Sequence, residues 1–539
     1  MSQNNLFFTE SYSSFQDKNV AIDINTPLNN DVYFEILKLN AISCPCSSLE
    51  QEFIFNVDRS GSMSDLCSDG RSKMQHITHT IKNMVKYFVD NPSIKLHITI
   101  FAFDDKFVTI LERTQINDDN YLNIMKKIEK ISPTGSTNIE KALSESREYI
   151  STLKRDYPSS QINHIFLTDG DATSGNKDKH ILYELVDKDI TNAFIGFGIN
   201  HDALLLNYIA NRQNSSYHFV DALEKAGLIY GEILHGILYK LLTDVVITIQ
   251  NGLVYNYKTN TWDNHLCIGD IVGEANKTYH IVSSCPEECV IVLSCNQGND
   301  KFNICIDKLI NHDADHTKYI YRQKTLELLY LVNEFQMKKK NLQTTSSCNL
   351  VFLEEDDNQY DEIKDEQTKL KTNLRAFITE LKIYMLNNRL QDDSFLKNLC
   401  DDIYITYRTL GTNYGAMYCG ARQTSQGTQR CYTVSQTPDE TIGNRLFGFP
   451  PPPILRRRNN RVTINTLDTF DAFDTFDTFD NNSDMDILPT ELEIDLEHEV
   501  SDFDQTPYLT PTATQLMRAV SDGRKMKKED KDEETLDIY

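Results

Sequence analysis

Basic charge is what this chain is short of. Its 539 residues carry 54 Lys and Arg against 79 Asp and Glu, a formal net charge of −25. A protein that grips phosphates needs a local surplus of Lys and Arg, so no nucleic-acid partner is expected, and adhesion to an anionic membrane surface is disfavoured on the same ground. No secretory leader is expected either: Met1 to Leu6 has neither a basic n-region nor an apolar h-region. No run is apolar enough to span a membrane. The best long window, Ala226 to Ile249, is interrupted by Glu232, His235, Lys240 and Asp244, and reads as a core helix running into a strand. With no export signal the expected location is cytoplasmic, and the 12 Cys are expected as reduced thiols.

Catalytic signatures are absent as well. There is no Gly-x-Ser-x-Gly, no Walker loop and no His-Glu-x-x-His, so no enzyme is expected. Cys44-Pro45-Cys46 and the pair Cys285 and Cys289 lack the four-ligand frame of a structural zinc site. His76 and His79, at the start of a helix, read as a solvated or capping pair.

The excess acid is unevenly spread. Val462 to Tyr539 holds 21 acids and 6 bases, a net charge of −15, which leaves −10 for the first 461 residues. That is a folded body with an acidic tail. Residues 434–539 are expected to be disordered, with Phe-Asp units repeated every three residues over 469–480, a period that suits neither strand nor helix. An acid beside an apolar anchor would also suit such a tail to compete for a site that wants carboxylates.

Within the body, the period of the apolar residues keeps switching. Phe53 to Val57 is a short apolar run ending in Asp58, as in a buried central strand. Lys73 to Val89 has helical spacing, Ile94 to Phe103 alternates as a strand, and helix and strand then alternate to about residue 240. That predicts an α/β fold, a doubly wound, mostly parallel sheet with helices on both faces, over 50–240. Short strands separated by turn residues predict a β-sandwich-like domain over 241–312, to which a strand at Val32 to Ile42 in the N-terminal segment 1–49 can be assigned. A helical region follows over 313–433, with Leu370, Leu374, Phe377, Leu381 and Tyr384 on one stripe.

The sharpest site signal lies where the first buried strand stops. Asp58, Ser60 and Ser62 place an acid and two hydroxyls at alternate positions of one turn. Thr137 stands just before a helix, and Asp169 just after the strand Ile162 to Thr168. In a parallel sheet these loops share the carboxyl edge, where ligands bind. Hard divalent cations want oxygen ligands, and Mg²⁺ wants six.

DRSGSM at Asp58 to Met63, TGSTNIEKAL at Thr134 to Leu143 and FLTDGDAT at Phe166 to Thr173 resemble, in order and spacing, the three metal-site loops of von Willebrand factor type A domains. FAFDD at Phe101 to Asp105 resembles the family's second strand. The resemblance covers about residues 50–240 and implies a metal-ion-dependent adhesion site. Its ligands would be Asp58, Ser60, Ser62, Thr137 and Asp169, its ion Mg²⁺ (or Mn²⁺), and its partner a protein presenting Asp or Glu to the open position. MYCGARQTSQGTQRCY at Met417 to Tyr432 is similar to a segment that closes the helical region in some intracellular type A proteins of protists and large DNA viruses. Two other readings stay open at this point: a non-catalytic subunit of an enzyme of ubiquitin transfer or metal insertion, and an RNA-associated scaffold.

Overall fold

A computed structural model of the chain describes residues 8–15, 33–47, 49–67, 70–198, 201–220, 226–297, 300–306, 316–348, 355–430 and 507–522. Two strands, β1 (Phe8–Phe15) and β2 (Tyr33–Ala41), come first and pair with each other. The alternating region then runs β3 (Gln51–Asp58), α1 (Lys73–Asp90), β4 (Leu96–Phe103), β5 (Phe107–Gln115), α2 (Tyr121–Ile128), α3 (Ile139–Asp156), β6 (Gln161–Thr168), α4 (Lys179–Leu185), β7 (Thr191–Phe197), α5 (Ala203–Ile209), β8 (Ser215–Val220) and α6 (Ala226–Leu238). Its six strands form one sheet in the order β5-β4-β3-β6-β7-β8. All neighbours are parallel except β5, which is antiparallel to β4 at the edge.

Position in the sheet follows composition. Every residue of β3 is buried, as a strand covered on both faces requires, whereas β5 is largely accessible. The helices divide between the faces. Ile77, Ile81, Met84 and Val85 of α1 pack with Tyr230, Leu234 and Leu238 of α6 against Phe53, Phe55 and Val57. On the other face Ile139 and Leu143 of α3 join Leu182, Leu206 and Phe166. Helix starts are capped where the sequence offers an acceptor: Ser72 and Gln75 form a reciprocal capping box on α1, and Asn138 Oδ1 accepts from Lys141 N at the start of α3.

After α6 come β9 (Lys240–Gln250), β10 (Leu253–Asn256), β11 (Thr261–Asp263), β12 (His265–Val272), β13 (Asn276–Ser283), β14 (Val290–Gln297) and β15 (Asp300–Cys305). The apolar window from Ala226 to Ile249 is a helix to Leu238 that passes into β9 at Lys240. One sheet is β1-β2-β13-β10-β11 and the other β12-β9-β14-β15. Leu37, Leu39, Val254 and Ile281 of the first meet Ile247, Ile249, Ile291 and Leu293 of the second. Strand β2 lies against β13 in eight-residue register, Tyr33 opposite Ser283 and Asn40 opposite Asn276. The first 17 residues look loose by composition, yet Phe8–Phe15 pairs with β2 along its full length.

Four long helices follow: α7 (Thr317–Cys348), α8 (Glu355–Asn387), α9 (Ser394–Thr409) and α10 (Asn413–Thr428). The stripe on α8 is buried at Leu370, Leu374, Phe377 and Leu381. Part of the acidic tail departs from the expected disorder: Pro511–Asp522 is a helix, α11. Its Ala513, Leu516, Met517 and Val520 enter the same core as α1 and α6. The Phe-Asp repeats lie outside the described residues. All these elements belong to one compact unit. Among the described residues no helix is long and apolar enough to cross a membrane.

The core holds several neutral histidines. His164 on β6 is buried with its ring 6.1 Å from Phe166 and 6.3 Å from Phe194. Its Nδ1 lies 3.2 Å from Asn192 Oδ1, and burial pushes its pKa down to about 4. An unfolded chain would take the proton near pH 6.5, so this group's contribution is present at neutral pH and is lost as pH falls toward 4. His164→Phe is therefore expected to lose about 1–2 kcal/mol less stability than wild type between pH 7 and pH 5, as read from urea unfolding at the two pH values.

Candidate metal centre

Strand order reverses at β3: its chain successor β4 lies on one side and β6 on the other. Loops leaving the carboxyl ends of β3 and β6 therefore meet over one crevice. Asp58 is the last residue of β3, and Asp169 follows the last residue of β6. Both carboxylates are fully buried.

Each acid is held by neighbours. Asp58 Oδ1 accepts from Ser60 N at 2.8 Å, and its Oδ2 accepts from Thr168 Oγ1 at 2.6 Å. Ser62 Oγ donates to Asp169 Oδ1 at 2.8 Å and lies 3.2 Å from Ser60 Oγ. Thr137, also buried, closes the ring from the third loop: a methyl group on Gly170 would sit 3.5 Å from Thr137 Oγ1 and 3.7 Å from Ser62 Oγ. All five side chains singled out in the sequence thus face one small region.

Backbone bonds join the loops. Gly61 N donates to Gly135 O at 3.2 Å, Thr134 N to Arg59 O at 2.6 Å, and Thr173 N to Thr137 O at 3.0 Å. Gly135 has φ +71°, and a Cβ there would stand 2.4 Å from Asp105 Oδ1, so both its backbone angle and its surroundings demand glycine. Below the turn, Met63 is fully buried and pins the loop to the core.

The electrostatics are asymmetric. Asp58 has no ion-pair partner among its perturbing neighbours; burial, and to a lesser degree the nearby Asp169, pushes its pKa up to about 6 against the pull of Thr168 and Ser60. Asp169, by contrast, receives Lys73 Nζ on Oδ2 at 2.7 Å. Arg59 is already committed to Asp104 at 2.8 Å. Buried carboxylates with neutral hydroxyls beside them and too little positive charge form the donor set a hard divalent cation fits.

Residues 52–230 match the family model of the von Willebrand factor type A domain. This part of the chain is a von Willebrand factor type A domain. Among solved structures the chain is similar to a von Willebrand factor type A protein from Catenulispora acidiphila, at 14% identity over 62% of this chain and 82% of that one, TM-score 0.45. It is also similar to the ArnB paralog VWA2 from Sulfolobus acidocaldarius, at 12% identity over 79% and 98%, TM-score 0.46. A third is proximal thread matrix protein 1 from the mussel byssus with a zinc-occupied MIDAS motif, at 19% identity over 33% and 45%, TM-score 0.26. No curated protein sequence matches the chain. Type A domains are in general non-catalytic interaction modules, many of them metal-dependent.

Two functional-looking residues of the type A domain escaped sequence reasoning. Thr168 had read as the end of a strand, yet its hydroxyl orients Asp58. Lys73 had read as the start of a helix, yet its ammonium sits on Asp169. Neither spacing nor residue type announces a contact made across 110 or 96 positions. Other candidates resolve differently. Of His76 and His79, read as a solvated or capping pair, His76 is buried and His79 exposed. Ten of the cysteines among the described residues stand outside any disulfide bond. At the opposite end of β3, Glu50, Glu52 and His97 bring their polar atoms within 4.8 Å of one another. Arg113 fills that cluster, with Nη2 2.6 Å from Glu52 Oε1 and 3.1 Å from Glu50 Oε1, and supplies the positive charge itself.

Proposed function

We propose that the type A domain is a non-enzymatic protein-binding module. Asp58, Ser60, Ser62, Thr137 and Asp169 hold Mg²⁺ (or Mn²⁺) and grip an Asp or Glu of a protein partner. The observation that carries this reading is the fully buried Asp58, fixed by two hydrogen bonds and without a cationic partner among the described residues, at the carboxyl edge where the sheet order reverses. The bound cation supplies the missing positive charge and an open coordination position. The chain's own part is orientation. Thr168 and the Ser60 amide fix the two oxygens of Asp58, Ser62 fixes Asp169, and the backbone bonds between loops keep Thr137 in place.

Losing a group that merely orients a ligand typically costs 10–100-fold in metal affinity. Removing the ligand itself is expected to cost about 100-fold or more. Calorimetric titration with MnCl₂ should give one site in wild type and binding weaker by at least that factor in Asp58→Ala. Capture on an array of Asp- and Glu-containing peptides should be lost with EDTA and restored by Mg²⁺ in wild type only. Peptide capture indifferent to EDTA and to Asp58→Ala would refute the reading.

A further inference from the structure

Lys73 is the first residue of α1, and the capping box of Ser72 and Gln75 fixes where that helix begins. Its backbone amide donates to Asp65 O at 3.0 Å, so the residue is tied to the loop that carries Ser60 and Ser62. Its side chain is 12% exposed and reaches across to Asp169 Oδ2 at 2.7 Å. The other oxygen of Asp169 is taken by Ser62. A second perch is close: Asp65 Oδ2, on a side chain 55% exposed, is 3.2 Å from the same Nζ. The ammonium can therefore yield Asp169 without leaving the site.

We propose that Lys73 is a built-in counter-cation that competes with the divalent ion for Asp169 and passes the site's leftover positive charge to the acidic ligand. This rests on the metal reading given above. Asp58 and Asp169 alone would bring a charge of −2, which a divalent ion cancels. Lys73 reduces that toward −1: its second partner, Asp65, is 55% exposed and its charge is screened by solvent, whereas Arg59 is spent on the buried Asp104. The loaded site is then +1 rather than neutral. Repulsion between the ammonium and the ion weakens metal binding, and the surplus charge strengthens binding of a carboxylate. Metal and acidic ligand become coupled: the ion binds best when the anion arrives with it.

The test uses the full chain as wild type, Lys73→Gln, Lys73→Arg and Asp58→Ala. Mn²⁺ affinity is read by calorimetry. Acetate binding to the Mn²⁺-loaded proteins is read by paramagnetic relaxation of the acetate methyl protons. Lys73→Gln should bind Mn²⁺ about tenfold tighter than wild type, within the usual range of coupling between sites, and acetate more weakly. Lys73→Arg keeps the charge and should stay close to wild type in both. Equal Mn²⁺ affinity in wild type and Lys73→Gln overturns the competition while leaving the metal site standing. Tighter Mn²⁺ without weaker acetate overturns the transfer of charge to the ligand. If neither wild type nor Lys73→Gln binds Mn²⁺ saturably, the metal reading itself falls, and this proposal with it. Asp58→Ala reports binding elsewhere on the chain, and Mn²⁺ affinity unchanged by it likewise removes the basis of both.

Discussion

Arg422→Ala is expected to destabilise the protein by about 3–5 kcal/mol, the usual cost of removing one partner from a buried ion pair. Arg422 on α10 and Asp402 on α9 form that pair, at 1% and 0% side-chain exposure. Around it Arg422 Nη2 donates to Asn398 Oδ1 at 3.0 Å, and Gln426 Nε2 lies 2.7 Å from both Asn398 Oδ1 and Asp402 Oδ2. Even with the guanidinium beside it, burial pushes the Asp402 pKa up to about 7. Without the arginine that carboxyl must protonate or stay charged in a dry site, and either costs stability at pH 7. The damage would spread because α10 is a hub. Its Tyr414, Met417 and Tyr418 enter the core beside β8 and α5, and Gln423 Nε2 donates to Tyr257 O at 3.0 Å in the sandwich. Just past its end, Gln429 Oε1 accepts from Thr278 N at 2.7 Å. The double variant Arg422→Met with Asp402→Leu should recover most of the loss, since apolar groups of similar volume often replace a buried pair at little cost. Urea unfolding at pH 7 decides it. A single variant within about 1 kcal/mol of wild type would mean that the pair is solvated, as exposed pairs are.

The type A domain was legible because its signals are local. An apolar run ending in an acid marks a central strand, helical spacing marks each crossover, and two of the three loop motifs fall where strands stop, the third where a helix begins. The five side chains of the candidate site could be placed for the same reason: each sits next to a strand or helix end that the apolar pattern fixes. Contacts that depend on how distant segments pack were not. Nothing around Lys73 or Thr168 reveals which carboxylate it will meet. The polar run at Arg422, Gln423, Ser425 and Gln426 looks like an exposed helix face, yet all four residues are buried, and Arg422, Gln423 and Gln426 find partners on other elements. Helix α11 failed for a different reason. Ala513, Leu516, Met517 and Val520 have clean i, i+3, i+4, i+7 spacing, but they stand in a segment whose overall composition is that of disorder, and composition outvoted a short periodic window.

Gly231→Leu is expected to drive α11 off its seat. A Cβ on Gly231 of α6 would lie 2.4 Å from Met517 Cα and 2.6 Å from Met517 N, and these are backbone atoms that no rotamer change can move aside. Glycine is what lets the two helices approach so closely. A leucine there forces them apart, and overpacking of a tight contact typically costs 1–3 kcal/mol, with backbone collisions at the upper end of that range or above it. Separation also exposes Ala513, Leu516, Met517 and Val520, each now at most 4% exposed. At the far end Asn83 Nδ2 adds a hydrogen bond to Val520 O at 3.0 Å, too weak on its own to keep an apolar face half-seated. Hydrogen exchange should therefore show loss of protection across Ala513 to Val520, with exchange in β3 and β6 little changed. Truncation after residue 506 makes the prediction specific. If the leucine acts through α11, truncation and Gly231→Leu remove the same interaction, and the leucine should cost less than about 0.5 kcal/mol in the shortened chain, the limit within which independent sites add. A leucine equally costly with and without α11 would locate the damage within α6 itself, and the close approach to Met517 would then have no energetic consequence.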